Sequence, residues 1–223
     1  MYQFMGIIKS RERIRNHGEV FTPDFIVNHM LDLVVNETGR IESRFLEPAC
    51  GDGNFLIKVL ERKMEVIKRR YKKSQFDYER MLVLAVSSIY GIDLLDDNVE
   101  SARERLHKYC KNQYESLFKG RVNEDVLNTI QYLLSKNILQ GDALILKNKD
   151  NKLITFSEWS LVNGSKIKRR DFQFVDLAEF DPAKPSLFSV REESDTGEIV
   201  FSPQSARDYI AVNFMKLHES YDN

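Results

Sequence analysis

Phe45-Leu46-Glu47-Pro48-Ala49-Cys50-Gly51-Asp52-Gly53-Asn54-Phe55-Leu56 is the stretch on which the fold turns. Phe45-Leu46 reads as the end of a short buried strand, and Gly51-Asp52-Gly53 as a tight turn. Asn54 is placed to cap a helix. Phe55, Leu56, Val59, Leu60, Met64 and Ile67 follow at helical spacing and give that helix an apolar stripe. A strand that feeds a glycine turn and then a helix builds the carboxyl edge of an open α/β sheet, where such proteins bind ligands.

The same unit recurs downstream. Leu82 to Ile89 reads as helix running toward a second strand, Ile89-Tyr90-Gly91-Ile92-Asp93, which ends in an acid. Asp96-Asp97-Asn98 opens a helix with Val99, Ala102, Leu106 and Tyr109 inward, and another helix covers about residues 123–134. Ile138 to Leu144 reads as a third strand, with Asp142 near its end. This alternation predicts an α/β fold with a doubly wound, mostly parallel sheet. The separation of Asp52 from Asp93 exceeds that of a compact nucleotide-binding unit, so an insertion is expected over residues 68–80. Upstream, Phe21-Thr22-Pro23-Asp24 opens a helix with Ile26, Val27, Met30, Leu31 and Val34 on one face. Past Lys147 the pattern weakens to hairpins and loops, with Ser205 to Glu219 as a closing helix. Lys166 to Asp171 is too charged for the lead-in to a buried strand, whereas Phe172 to Leu177 suits one.

Composition narrows the class. The chain has 223 residues, 42% hydrophobic, which suits one packed core with an appendage. Apolar runs are short and broken by charge, so no membrane span is expected, and the N-terminus has no export-signal pattern. Cys50 and Cys110 are the two cysteines, which fits a reducing cytoplasm, and the scattered histidines offer no zinc spacing; no metal is expected. Cys50 reads as packing in the turn. Net charge is −1, but Lys9/Arg11/Arg13/Arg15, Lys68/Arg69/Arg70/Lys72/Lys73 and Lys166/Lys168/Arg169/Arg170 are local basic clusters. Each suits phosphates, and each taken alone reads more readily as a solvated face or loop.

The acids decide the ligand chemistry. A dinucleotide site must receive pyrophosphate, and acids in its loop would repel it. Glu47 and Asp52 instead suit a ligand with positive charge and no phosphate. S-adenosylmethionine has an ammonium and a sulfonium and fits that requirement. Asp93, after the second strand, is placed to accept ribose hydroxyls, and Asp142 to accept from the adenine amine.

Gly18-Glu19-Val20-Phe21-Thr22-Pro23, Leu46 to Gly53, Tyr90-Gly91-Ile92-Asp93 and Gly141-Asp142-Ala143, in that order, resemble the gamma-type adenine-specific, amino-methylating DNA methyltransferases of restriction–modification systems. The resemblance covers about residues 9–146. It implies the Rossmann-like fold of S-adenosylmethionine-dependent methyltransferases, DNA as partner, and Phe21, Thr22 and Pro23 packed over the methionine end of the cofactor. The expected cofactor shell is Phe21, Thr22, Pro23, Glu47, Pro48, Ala49, Cys50, Gly51, Asp52, Gly53, Asn54, Phe55, Asp93, Leu94, Asp142 and Ala143.

The family's catalytic tetrapeptide, Asn/Asp-Pro-Pro-Tyr/Phe, does not occur in the sequence. Its nearest counterpart, Phe180-Asp181-Pro182-Ala183, lacks the second proline and the aromatic, and Asp-Pro commonly starts a turn. The expected organisation is a basic lead-in over 1–22, a cofactor-binding domain over 23–146 and a C-terminal extension over 147–223 packed on the same domain. The expected function is an adenine-specific DNA methyltransferase, or its cofactor-binding subunit acting with a second methyltransferase or specificity subunit. The alternative is a catalytically inactive methyltransferase-like module in a restriction or defence complex.

Overall fold

A computed structural model describes Arg15 and residues 22–178, 189–193 and 199–220; over 189–193 and 199–202 it describes the backbone alone. Phe21, most of the basic lead-in and the Asp181-Pro182 pair lie outside the described residues. The centre is a parallel sheet of β1 (Phe45–Glu47), β2 (Ile89–Asp93) and β3 (Ile138–Gln140), in that spatial order. Before it come α1 (Asp24–Asp32) and α2 (Val35–Thr38). Between β1 and β2 run α3 (Asn54–Tyr71) and α4 (Gln75–Ser87), so the expected insertion is helical, with the Ser74 hydroxyl capping α4 through Asp77 N–H. Between β2 and β3 run α5 (Asp96–Leu117) and α6 (Glu124–Asn137), the latter capped by Asn123.

Side-chain alternation along β2 assigns the two faces of the sheet. Gly91 faces α3 closely enough that a Cβ there would lie 2.9 Å from both Cys50 Sγ and Leu56 Cδ1. The opposite side, Tyr90 and Ile92, packs against Ile154 and Phe156. Those residues begin a second, antiparallel sheet of β4 (Thr155–Asn163) and β5 (Lys166–Gln173), with α7 (Phe174–Ala178) after it. A hairpin of β6 (Ser189–Glu193) and β7 (Ile199–Pro203) follows, and β8 (Arg207–Asp208) and β9 (Val212–Asn213) add to β5. A 3-10 turn over Phe214–Lys216 leads into α8 (Leu217–Ser220). The architecture is therefore α/β with a parallel three-stranded sheet, one side of which meets a β-hairpin where a doubly wound sheet would carry helices. Trp159, Ile167, Phe214 and Leu217 join the same apolar core as α3 to α6. Among the described residues no helix is long and apolar enough to cross a membrane.

Several sequence expectations are corrected. Lys166 to Asp171 is strand β5, with Ile167, Arg169 and Asp171 buried. Its charge is internalised as a pair: Arg169 Nε and Nη2 donate to the two Asp171 oxygens at 2.8 and 2.9 Å. Ser157 Oγ and Tyr209 Oη also donate to Asp171, and Arg169 donates to Tyr132 Oη. Full pairing is what makes buried charge tolerable. Phe174 to Leu177 is helical, not strand. The segment 205–219 holds two short strands and two short helical turns, because its apolar residues fill gaps against β5 and α6 without helical spacing. On α1 only Val27 and Leu31 are buried, while Ile26, Met30 and Val34 are exposed. β3 stops at Gln140, so Asp142 lies in the following turn.

Lys63 on α3 is buried with its ammonium among oxygens. Nζ donates to Ile41 O at 2.8 Å, to Ser88 Oγ at 2.7 Å and to Ser43 O. It thereby joins α3 to the segments leading into β1 and β2. Burial pushes its pKa down to about 7. The unfolded chain would hold this proton to the ordinary value of 10.5. Between these limits the unfolded state binds more protons, so the Lys63 contribution to stability rises with pH, by up to about 1.4 kcal/mol per unit. Urea denaturation of wild type and Lys63→Met at about pH 7 and pH 9 should show wild type gaining stability over the variant at the higher pH. A pH-independent difference would refute a depressed Lys63 pKa.

Candidate functional site

The glycine turn is fixed from β2. Cys50 N–H donates to Ile92 O at 2.8 Å, and Gly51 N–H to Asp93 Oδ2 at 2.9 Å. Asp93 Oδ1 accepts from Leu95 N–H at 3.0 Å and from Asn98 Nδ2 at 3.1 Å. A carboxylate has about four lone-pair sites, so Asp93 keeps room for about one further donor. The expectation that it accepts both ribose hydroxyls thus meets a group that chiefly holds the turn to β2 and to the first turn of α5.

The two glycines of the turn do different work. Gly51 (φ +53°) borders a cavity. Gly53 (φ +86°) is the N-cap of α3, and a Cβ on it would meet Ala102 Cβ on α5 at 3.1 Å. Gly53 therefore permits close packing of turn on helix. Asp52 pairs with Arg105 of α5 at 2.6 Å, and Arg105 also donates to Asp52 O at 2.8 Å. The other Asp52 carboxylate oxygen is buried and has no hydrogen-bond partner among the described residues.

Asn54 does not cap α3. Its Nδ2 donates to Thr22 O at 2.7 Å and to Asp24 Oδ1 at 3.2 Å. Lys58 pairs with Asp24 at 3.0 Å, and Arg62 donates to Asn28 O at 3.0 Å and to Asp32 at 2.7 Å. Positions 54, 58 and 62 lie along one face of α3, so this ladder clamps α1 beside the turn. Thr22 and Met30 become one wall of the site.

The cavity has a volume of about 650 Å³, within the range of cofactor pockets. Of the expected residues, Thr22, Glu47, Pro48, Ala49, Cys50, Gly51, Asn54, Phe55, Asp93, Leu94, Asp142 and Ala143 line it. Pro23, Asp52 and Gly53 do not. Met30, Leu95, Asn98, Gly141 and Leu144 line it without having been anticipated. Asn98 was the most legible of these, since it sits in the first helical turn after Asp93.

Its electrostatics are one-sided. Glu47, Asp93 and Asp142 contribute carboxylates, and among the described residues no lysine or arginine is in the lining. Burial pushes the Glu47 pKa up, against a weak bond from Ala49 N–H at 3.4 Å. Among the described residues no cation pairs with Glu47. Asp142 is partly used in its own turn, accepting from Leu144 N–H at 2.8 Å. The Cys50 thiol is buried and its pKa is pushed up by burial and by Asp93, which leaves it a packing group. The arrangement can hold a cation at Glu47 and stack a flat group near Leu94 and Ala143; it would repel phosphates.

Two other features are set apart. A second cavity of about 530 Å³ lies beside Leu46, Tyr90 and Phe172, and its charges are already paired as Arg44–Glu158–Arg170. Asp125, His218 and Glu219 come together, a set that sequence spacing does not reveal, but Lys216 Nζ lies 2.8 Å from both carboxylates.

No family model matches the chain, and no solved structure matches it. It is 33% identical over 122 residues, 52% of the chain, to a Methanocaldococcus jannaschii protein named "Putative type II restriction enzyme and methyltransferase RM.MjaORFECS2P", of which the match covers 10%. It is 28% identical over 145 residues, 64% of the chain, to the type II methyltransferase M.BstVI of Geobacillus stearothermophilus, of which the match covers 23%. The chain thus spans a tenth and about a quarter of these curated relatives, both distant homologues, one named as a putative type II restriction enzyme and methyltransferase and the other as a type II methyltransferase.

Proposed function

We propose that the chain binds S-adenosylmethionine in the cavity between β1, β2 and the turn after β3, and forms the cofactor-binding part of an adenine-specific DNA methyltransferase of restriction–modification type. The observation that carries this reading is the lining of the cavity among the described residues: three carboxylates, no cation, and a half-buried Glu47 without a cationic partner. The distant relatives support methyl transfer as the chemistry.

In this reading Glu47 receives the ligand ammonium. Asp93 offers its remaining acceptor site to one ribose hydroxyl, and Leu94 and Ala143 flank the adenine. The bound cofactor supplies an electrophilic methyl group on sulfur. The chain's own contribution is to orient and desolvate, which is where most of the rate in a direct transfer arises. No Asn-Pro-Pro-Tyr sequence is present to hold the target amine. In this reading the catalytic segment comes from outside these 223 residues. The second reading is a binding module without catalysis.

Isothermal titration tests the pocket. Wild type should bind S-adenosylmethionine, Asp93→Ala should lose detectable binding because the turn comes free, and Glu47→Gln should bind about tenfold more weakly (about 1.4 kcal/mol, a single charge-assisted contact). Affinity should fall on acidification at a pH above the ordinary carboxylate range, and Glu47→Gln should remove that dependence. Wild-type affinity retained in both variants would overturn the assignment. For the reaction, tritium transfer to adenine in unmethylated DNA should require an added chain bearing Asn-Pro-Pro-Tyr. Transfer by this chain alone would contradict the split.

A further inference from the structure

The basic cluster Lys68, Arg69, Arg70, Lys72 and Lys73 does not lie beside the cavity. α3 has 18 residues and begins at Asn54 in the pocket wall. At about 1.5 Å per residue its far end is some 27 Å away, at the opposite edge of the sheet. The five side chains there belong to exposed residues.

A second segment meets them. Gln75 Nε2, two residues past Lys73, donates to the backbone oxygen of Arg121. This brings the turn after α5, with exposed Lys119 and Arg121, against the start of α4. Cations from two separate stretches of chain thus converge on one end of the molecule. Elsewhere several exposed or half-buried cations are neutralised: Arg40, Arg62, Arg105, Lys149 and Lys216 each hold a carboxylate. Among the described residues no such ion pair involves Lys68, Arg69, Arg70, Lys72, Lys73, Lys119 or Arg121. In a chain of net charge −1, this end is a concentrated positive field. A helix macrodipole favours cations in its last turn and so accounts for Lys68 to Arg70. It does not account for Lys72, Lys73, Lys119 or Arg121, which lie outside the helices.

We propose that this platform is a second nucleic-acid contact, one that grips the phosphate backbone of duplex DNA without reading sequence and at a distance from the cofactor pocket. Duplex DNA carries one negative charge per about 1.7 Å of axis, a density that several neighbouring cations match. Between residues 68 and 73 the only large apolar side chain is Tyr71, which is half-buried, and the nearest exposed ring, Phe76, is packed edge-on against Phe214, so the cations are not accompanied by a free apolar wedge of the kind that enters lipid. The proposal extends the reading of DNA as substrate but does not depend on the cofactor site.

The test is fluorescence anisotropy with a random-sequence duplex of about 30 base pairs across a salt series around 100 mM, without cofactor. The variant replaces Lys68, Arg69, Arg70, Lys72 and Lys73 with Gln. Its log affinity should fall less steeply with log salt, by about 0.9 for each phosphate that is no longer neutralised, and its affinity should drop at least about tenfold at the low-salt end. S-adenosylmethionine affinity should be unchanged. Lysine acetylation of the wild-type chain gives an independent readout: duplex should protect Lys68, Lys72, Lys73 and Lys119. An unchanged salt slope in a folded variant, or unprotected lysines, would overturn the proposal. Loss of binding to phosphatidylserine vesicles with duplex binding intact would overturn it in favour of a membrane surface. Duplex binding that depends on the platform in a chain that fails to bind S-adenosylmethionine would uphold the platform and defeat the pocket reading.

Discussion

Asp93 takes one donor from the glycine turn and two from the entry to α5, all within 3.1 Å. It stands at the carboxyl end of the central strand of the parallel sheet, beside the turn that follows β1. Cys50 and Leu56 can lie close on β2 because Gly91 has no side chain; they take the space that a Cβ would need. Loss of the Asp93 acceptor would leave the half-buried Gly51 N–H without its partner and the turn without its tie to β2; for a fully buried group such an unmade bond costs about 1–3 kcal/mol. The cavity, the start of α3 and the clamp on α1 all follow from that fixed turn.

The clamp links fold to site. Asn54, Lys58 and Arg62 hold α1 through polar contacts, while α1 buries only Val27 and Leu31. Its attachment relies on hydrogen bonds and ion pairs more than on apolar area, and surface pairs of this kind are each weak. The wall that carries Thr22 and Met30 is accordingly less firmly held than the turn that carries Gly51.

The parallel sheet was legible in the sequence because each strand ended at a glycine or an acid and each helix kept its apolar spacing. β2 begins and ends where Ile89 and Asp93 suggested, and the stripe of α3 is buried at Leu56, Val59, Leu60, Met64 and Ile67. Failures came where polar groups do structural work. Asp52 reads as a ligand acid and instead pairs with Arg105; Asn54 reads as a cap and instead reaches Thr22. Strand β5 looked too charged to be buried because the Arg169–Asp171 pair cannot be inferred from one strand alone. The α1 face failed because its exposed residues follow helical periodicity as well as its buried ones do. Most of the candidate site was visible as conspicuous residues; Met30 and Leu144 line it only through tertiary placement.

The central claim is that the acidic cavity held together by Asp93 is an S-adenosylmethionine pocket. Hydrogen–deuterium exchange with and without S-adenosylmethionine addresses it segment by segment. The account predicts slower exchange at residues 49–53, 93–95 and 142–145 when the ligand is added, with residues 68–73 and 119–121 unchanged. Protection absent from all three pocket segments at saturating ligand, or confined to the distant basic end, would contradict it.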